Sequence, residues 1–255
     1  MQTYEISIIM PCFNEESNIE DAVKSTLNII DHNNILGEII IVNDGSIDKS
    51  RLIIKKLLLK DKRLKLINHK KNYGIGKSFK DGVAKAKYAY CAMIPGDNEN
   101  SPLELLRYLF LTNEVDIIVP FIHNLEIRSK VRRIISSFYR FLINVTFGTN
   151  FNYTNGTVIY KTSIIKNLKL CSFGFFYQAE ILIRLVRKGY LFAEVPQLLQ
   201  VRNSGKSKAL TISSFIEVCG AFLVLFWNIH IKRSESNNNL LDNTSVTVLR
   251  KNNAS

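Results

Sequence analysis

The most constraining stretch of this chain is residues 38–42, Glu-Ile-Ile-Ile-Val. Four β-branched aliphatics in a row cannot show one face to water, so the run predicts a strand buried on both faces, as in a parallel sheet covered by helices. It ends abruptly in Asn43-Asp44-Gly45-Ser46. Ligands of open α/β sheets sit beyond the carboxyl ends of the strands, so an acid released there faces a binding crevice and not the core. The pattern recurs at residues 88–94, an apolar run that empties into Pro95-Gly96-Asp97-Asn98-Glu99-Asn100-Ser101.

Around these two runs the periodicity alternates. Residues 6–10 form a short apolar run closed by Pro11, and a helical pattern follows through Ile19, Val23, Leu27 and Ile30. Residues 48–60 read as a helix, 64–68 as a strand, 73–87 as a helix, 102–112 as a helix and 115–121 as a fifth strand. This rhythm predicts a single mostly parallel sheet wrapped on both sides, a Rossmann-like α/β/α sandwich. The second half departs from it: 129–147 is a long helix, 157–161 a strand, 176–188 a helix and 191–196 a strand. Residues 215–231 are strongly apolar yet interrupted by Glu217, Asn228 and His230, short of the roughly 20 apolar residues a bilayer span needs. They predict a C-terminal apolar helix lying on a membrane surface or packed on the domain. The expected division is a domain over 1–210, the apolar helix over 211–233, and a disordered Asn- and Ser-rich tail over 234–255.

The 255 residues carry a formal charge of +12, which favours anionic partners. The basic residues are scattered and no nucleic-acid motif is present, so nucleic acid is not expected as a partner. Four widely spaced cysteines, Cys12, Cys91, Cys171 and Cys219, lack metal spacing and read as reduced core residues. The opening Met-Gln-Thr-Tyr-Glu enters a strand pattern at once, so no secretory leader is expected and the cytoplasm is the expected compartment.

Several residues carry candidate chemistry. Asp97 and Glu99, two apart in a strand-end loop, are hard oxygen ligands suited to Mg²⁺ or Mn²⁺ shared with substrate phosphates; the same stretch would also serve as a polar turn capping the next helix. Gly74-Ile75-Gly76-Lys77-Ser78 is not a P-loop, because that motif requires glycine at Lys71, but it would still aim backbone N–H groups and Lys77 at an anion. Arg128, Arg132 and Ser136 fall four apart along one helical stripe, which would be either a solvated face or a phosphate grip. Glu180 would be a general base or the partner of Arg184 one turn on. Arg202, Ser207 and Lys208 belong to a basic loop ahead of the apolar helix.

In their order and spacing, Pro11-Cys12-Phe13-Asn14-Glu15-Glu16, Val42-Asn43-Asp44-Gly45-Ser46 with Asp48, Asn72-Tyr73-Gly74, Asp81-Gly82 and Gly96-Asp97-Asn98-Glu99 resemble the family 2 glycosyltransferases of the GT-A fold over residues 4–210. Within that family Arg128, Arg132 and Ser136, Phe176-Tyr177-Gln178-Ala179-Glu180, Glu194-Val195-Pro196 and Arg202 with Gly205, Ser207 and Lys208 are most similar to the polyprenyl-phosphate transferases, the group of the dolichol-phosphate mannose synthases. The resemblance implies an inverting, metal-assisted transfer from a nucleotide-sugar. Pro11, Asn14, Glu15, Asp44 and Lys77 would bind the donor nucleotide, Asp97 and Glu99 the metal, with Asp97 and Glu180 catalytic. Arg128, Arg132, Ser136, Arg202, Ser207 and Lys208 would grip a lipid-linked phosphate on the cytoplasmic face of the membrane. One departure stands out, since Pro95 occupies the place of the first acid of the family's metal motif. Two alternatives remain open: transfer to a saccharide hydroxyl with Glu180 as base, and a nucleotide-sugar-binding protein without catalysis.

Overall fold

A computed structural model describes residues 3–166, 168–198, 212–232 and 241–254. Its centre is a seven-stranded sheet of order β3-β2-β1-β4-β6-β5-β7. The strands are β1 (Glu5–Cys12), β2 (Leu36–Asn43), β3 (Leu64–Asn68), β4 (Tyr90–Met93), β5 (Ile117–Ile122), β6 (Ile159–Lys161) and β7 (Phe192–Gln197). β3, β2, β1 and β4 run parallel, as do β5 and β7; β6 alone is antiparallel to both its neighbours. A strand antiparallel to both β4 and β5 leaves those two pointing the same way. The carboxyl ends of all strands but β6 therefore share one edge of the sheet.

The aliphatic run of β2 behaves as its sequence requires, with Ile39, Ile40, Ile41 and Val42 fully buried. Alternate residues enter opposite layers: Ile40 and Val42 join Ile9, Phe79 and Val83, while Ile39 and Ile41 join Ile8, Val23 and Ile54. Helices α1 (Ile19–His32), α2 (Ser50–Leu58), α3 (Ile75–Lys85), α4 (Pro102–Leu106), α5 (Lys130–Phe147), α6 (Thr162–Lys166) and α7 (Tyr177–Arg187) supply the cover. The doubly covered, mostly parallel α/β sheet expected from the periodicity is what the chain forms.

Differences from the sequence expectations have local causes. The helix expected over 102–112 breaks after Leu106 into a 3₁₀ turn, Leu109–Asn113, as the Tyr108 hydroxyl reaches the Pro196 carbonyl at 2.7 Å. Helix α3 starts at Ile75 and not at 73, because Gly74 lies far outside the helical region at φ of 92° and ψ of 162°, where it and Tyr73 turn their N–H groups to the Asp44 carboxylate. Cys12 and Cys91 are core residues, whereas Cys171 and Cys219 are exposed, on a loop and on the outer side of a helix.

The C-terminal segments are also more integrated than expected. α8 (Ile212–Phe226) packs Val218, Ala221, Phe222 and Leu225 on the core beside Phe147 and Phe176, and a π-helical turn, Trp227–Ile231, adds Ile229. The expectation of a disordered tail is corrected over 241–254, where α9 (Val246–Ala254) is anchored. Its first-turn N–H groups, on Val246 and Thr247, donate to the fully buried Asp116 at 2.8 and 3.0 Å, and the Thr247 hydroxyl donates to the same carboxylate. A distant aspartate thus does the work of an N-cap, which composition does not reveal.

Another buried acid ties the sheet's amino-terminal edge. Glu38 accepts from the Ser7 hydroxyl at 2.7 Å, the Lys87 N–H at 2.9 Å and the Lys65 ammonium at 2.6 Å. Burial pushes its carboxyl up, but Lys65, Lys87 and Ser7 together hold it below the ordinary glutamate value. A carboxyl whose pKa is depressed by folding adds stability above its unfolded pKa and loses that contribution as pH falls through the folded value. Glu38→Gln is expected to cost about 1–3 kcal/mol at neutral pH. Its denaturation free energy should also fall less steeply than wild type between about pH 5 and 3. Equal acid sensitivity of the two proteins in chemical denaturation would contradict this account.

Candidate active site

The shared carboxyl edge of β1, β2, β3 and β4 gathers the candidate donor residues. Beyond β1, Asn14 adopts a left-handed conformation with φ of 56°, tolerated by asparagine, and its loop is laced to the one beyond β2. The Asn14 N–H donates to the Ser46 hydroxyl and the Ile47 N–H to the Asn14 side chain, at 3.0 and 2.9 Å. Next to them the Glu15 N–H donates to the Ser50 hydroxyl, the Glu16 N–H to Asp48, and the Lys49 N–H to Glu16. These reciprocal bonds make Pro11, Asn14, Glu15 and Asp44 neighbours on one rigid double loop. Burial outweighs all else on the Cys12 thiol and pushes it up to about 11, so it stays a protonated core group.

Asp44 is the buried acid of this cluster. Its Oδ1 accepts from the Tyr73 N–H at 2.9 Å and faces Nδ1 of His69 at 2.6 Å; its Oδ2 accepts from the Gly74 N–H at 2.9 Å. A carboxylate offers about four acceptor positions, so one on Oδ2 is left for a ligand N–H or hydroxyl. Gly45, at φ of 74°, lets the 71–74 segment lie this close: a Cβ there would come within 2.4 Å of the Lys71 carbonyl carbon. His69 is a residue the sequence reading missed, although its position just past β3 marked it as another strand-end group. Lys77 does not project freely toward this site, since its ammonium pairs with both oxygens of Asp81 one turn along α3.

Asp97 and Glu99 follow β4 on the same edge, both half-buried. Asn98 between them is left-handed, φ 58°, and the Glu99 N–H folds back onto Asp97 Oδ1 at 3.1 Å. No group of three or more His, Cys, Asp or Glu able to hold a metal occurs among the described residues. A pair of carboxylates still fits Mg²⁺ or Mn²⁺, which keep waters and share their coordination with substrate phosphates instead of needing a full protein cage.

The β5 strand leaves the sheet on this edge too, separated from β4 by β6 alone, or about 10 Å at two inter-strand spacings. Arg128 follows, its guanidinium donating to the Tyr153 hydroxyl at 3.1 Å, while its Nε is buried with no hydrogen-bond partner among the described residues. Arg132 and Ser136 lie half-buried on α5. The solvent side of α5 is instead apolar, with Val131, Ile134, Phe138, Phe141 and Val145 each 62–69% exposed. The solvated face of α5 is therefore not the one bearing Arg132 and Ser136, and the expected stripe is corrected at Arg128, which sits in extended backbone before the Ser129 cap. Arg202, Ser207 and Lys208 lie outside the described residues.

Glu180 sits at the start of α7, 1% exposed, with its oxygens taken by the N–H groups of Cys171 and Ser172 and by Arg184 Nε, each at 2.8 Å. In this conformation it is a clamp on the 171–176 loop, and that loop in turn accepts the Gly76 N–H at the Phe173 carbonyl. No described helix is long and apolar enough to cross a membrane.

The comparisons with known proteins agree with this geometry. A curated relative, the dodecaprenyl-phosphate galacturonate synthase of Rhizobium johnstonii, is 26% identical over 67% of this chain and 52% of its own length. An uncharacterised glycosyltransferase of Haemophilus influenzae is 37% identical over 43% of this chain and 44% of its own. The chain thus spans about half the length of these two relatives. Among solved structures, the glucosyl-3-phosphoglycerate synthase of Mycobacterium tuberculosis with UDP superposes at a TM-score of 0.67, with 16% identity, covering 88% of this chain and 80% of that one. The same enzyme has been solved with Mn²⁺, UDP and phosphoglyceric acid. Residues 7–169 match the family described as glycosyl transferase family 2, and the chain, of GT-A fold, belongs to that family.

Proposed function

We propose that the protein transfers a sugar from a nucleoside diphosphate sugar to a lipid-linked phosphate at a membrane surface. The observation that carries the acceptor reading is the orientation of α5, which keeps Arg132 and Ser136 half-buried and turns large apolar side chains to solvent, with Arg128 in extended backbone just ahead of it. Helix α8 and the turn after it add exposed Phe215, Ile216, Leu223, Val224, Trp227 and Ile231. Exposed apolar groups on this scale mark an interaction surface. Lys130, Arg133, Arg140 and Lys232 stand beside them, a fringe that suits anionic headgroups. Arg128 and Arg132 would then reach a phosphate held at the headgroup level.

In the reaction, a phosphate oxygen of the acceptor attacks the anomeric carbon from the face opposite the leaving group. The new C–O bond forms as the bond to the β-phosphate breaks, and the configuration inverts. Asp44, with Pro11, Asn14 and Glu15, positions the nucleoside; Asp97 and Glu99 would hold the divalent ion. Such an ion would supply charge neutralisation for the departing nucleoside diphosphate. A phosphate monoester is nucleophilic without a general base. The enclosure of Glu180 by three N–H donors supports such an acceptor over a saccharide hydroxyl, which would need a base.

Turnover by Asp97→Asn, measured with Mg²⁺ or Mn²⁺ and a prenyl-phosphate extract across a screen of nucleotide-sugars, is expected to fall by about 100-fold or more. Glu99→Gln should lose the same or less. Wild-type, metal-dependent turnover in Asp97→Asn would remove these acids from the site. Donor binding with no turnover on any acceptor would instead establish the non-catalytic alternative.

Because α8 and α9 are built into the fold, removing them is a poor test of membrane attachment; surface substitution is a better one. Phe138→Glu combined with Phe141→Glu should keep thermal stability and nucleotide affinity while abolishing sedimentation with anionic liposomes. Unchanged liposome binding by this variant would refute the membrane surface.

A further inference from the structure

Beyond Asp44 the donor site contains a second ionisable layer that the transfer chemistry does not use. His69 follows β3, its own N–H held by the Asn43 carbonyl at 2.9 Å, and its side chain is buried. Nδ1 lies 2.6 Å from Asp44 Oδ1, and Nε2 lies 3.0 Å from Asp81 Oδ2. A neutral imidazole has one N–H and one lone pair, so either tautomer would set a lone pair against a carboxylate oxygen at hydrogen-bond distance. Only the imidazolium donates to both.

The surroundings are consistent with a cation there. Asp44 comes from the end of β2 and Asp81 from α3, where Lys77 pairs with the far side of Asp81. From the loop between, the Tyr73 ring meets the imidazole edge-on at 5.3 Å, with the Lys71 ammonium over the tyrosine at 5.4 Å. The two carboxylates are in direct contact with the ring, while Lys77 and Lys71 are each one group removed.

We propose that His69 is a protonation-dependent positioning residue of the donor site: as an imidazolium bridging Asp44 and Asp81 it fixes the Asp44 carboxylate for the nucleoside. Loss of one ring proton leaves Asp44 or Asp81 facing a lone pair, and the Asp44 carboxylate shifts away from its set position. Donor affinity then weakens as rising pH removes that bridging proton. This inference rests on the assignment of Asp44 to the donor nucleoside.

Calorimetric binding of UDP-glucose and GDP-mannose in Mg²⁺, whose diphosphates do not titrate in this window, tests it. The tighter-binding sugar nucleotide should bind wild type about fivefold or more weakly at about pH 8 than at about pH 6. His69→Gln should bind it about tenfold more weakly than wild type at about pH 6, with no slope over that range. Asp81→Asn, which leaves the histidine in place but removes one of its two anions, should move the wild-type decline to lower pH. A flat wild-type profile, or an equal slope in His69→Gln, overturns the inference while leaving the donor site intact. Absence of binding by either nucleotide at every pH overturns the donor-site assignment and this inference with it.

Discussion

A carboxylate taken out of water must be surrounded by donors, and the Asp44 side chain organises the active edge through that requirement. To satisfy it, the chain leaves β3 through His69, lays the 71–74 segment over Gly45, and gives the carboxylate the backbone N–H groups of Tyr73 and Gly74. Helix α3 begins at the next residue, Ile75, and the 171–176 loop packs against its Gly76. The reciprocal bonds between the Asn14 and Ser46 loops then fix the neighbouring candidate residues beside Asp44. Binding chemistry and loop architecture are here the same set of hydrogen bonds.

Sheet topology explains how the two halves of the site meet. Because β6 runs against both β4 and β5, those strands discharge on one edge, and the Asp97 loop and the Arg128 loop leave the sheet a single strand apart. The first half of the sheet carries acids suited to a nucleotide and its metal; the second carries cations, and through α5 and α8 an apolar surface. A donor and an acceptor of different solubility would be brought together at such a boundary.

Much of this was legible in the chain. The β2 run, its terminal Asp44 and the β4 run ending at Asp97 announce themselves because burial on both faces forbids alternation, and both acids lie where strand-end logic puts them. The family resemblance, carried by those motifs, was met by the match over residues 7–169. What the sequence hid depends on partners far away in the chain. Glu180 meets the Arg184 partner that its spacing offered, but its enclosure by the 171–172 backbone was not legible; Lys77 looked free until it met Asp81, and the C-terminal helix looked like a tail because its cap, Asp116, lies 130 residues earlier. Of the stripe expected on α5 only Arg132 and Ser136 are helical, Arg128 lying in extended backbone ahead of the Ser129 cap, and which stripe meets water is a tertiary property: local periodicity fixes faces relative to each other and not relative to the core.

The central claim is that the acceptor is a phosphate carried on a lipid. The most direct measurement offers the purified protein, a divalent metal and a labelled nucleotide-sugar two matched acceptors in detergent or liposomes, a polyprenyl phosphate and the corresponding polyprenol, with phosphoglycerate as a water-soluble control. The label should pass into the organic phase with the polyprenyl phosphate alone, as a sugar joined through the phosphate. Transfer to the polyprenol or to phosphoglycerate, with none to the polyprenyl phosphate, would contradict the account.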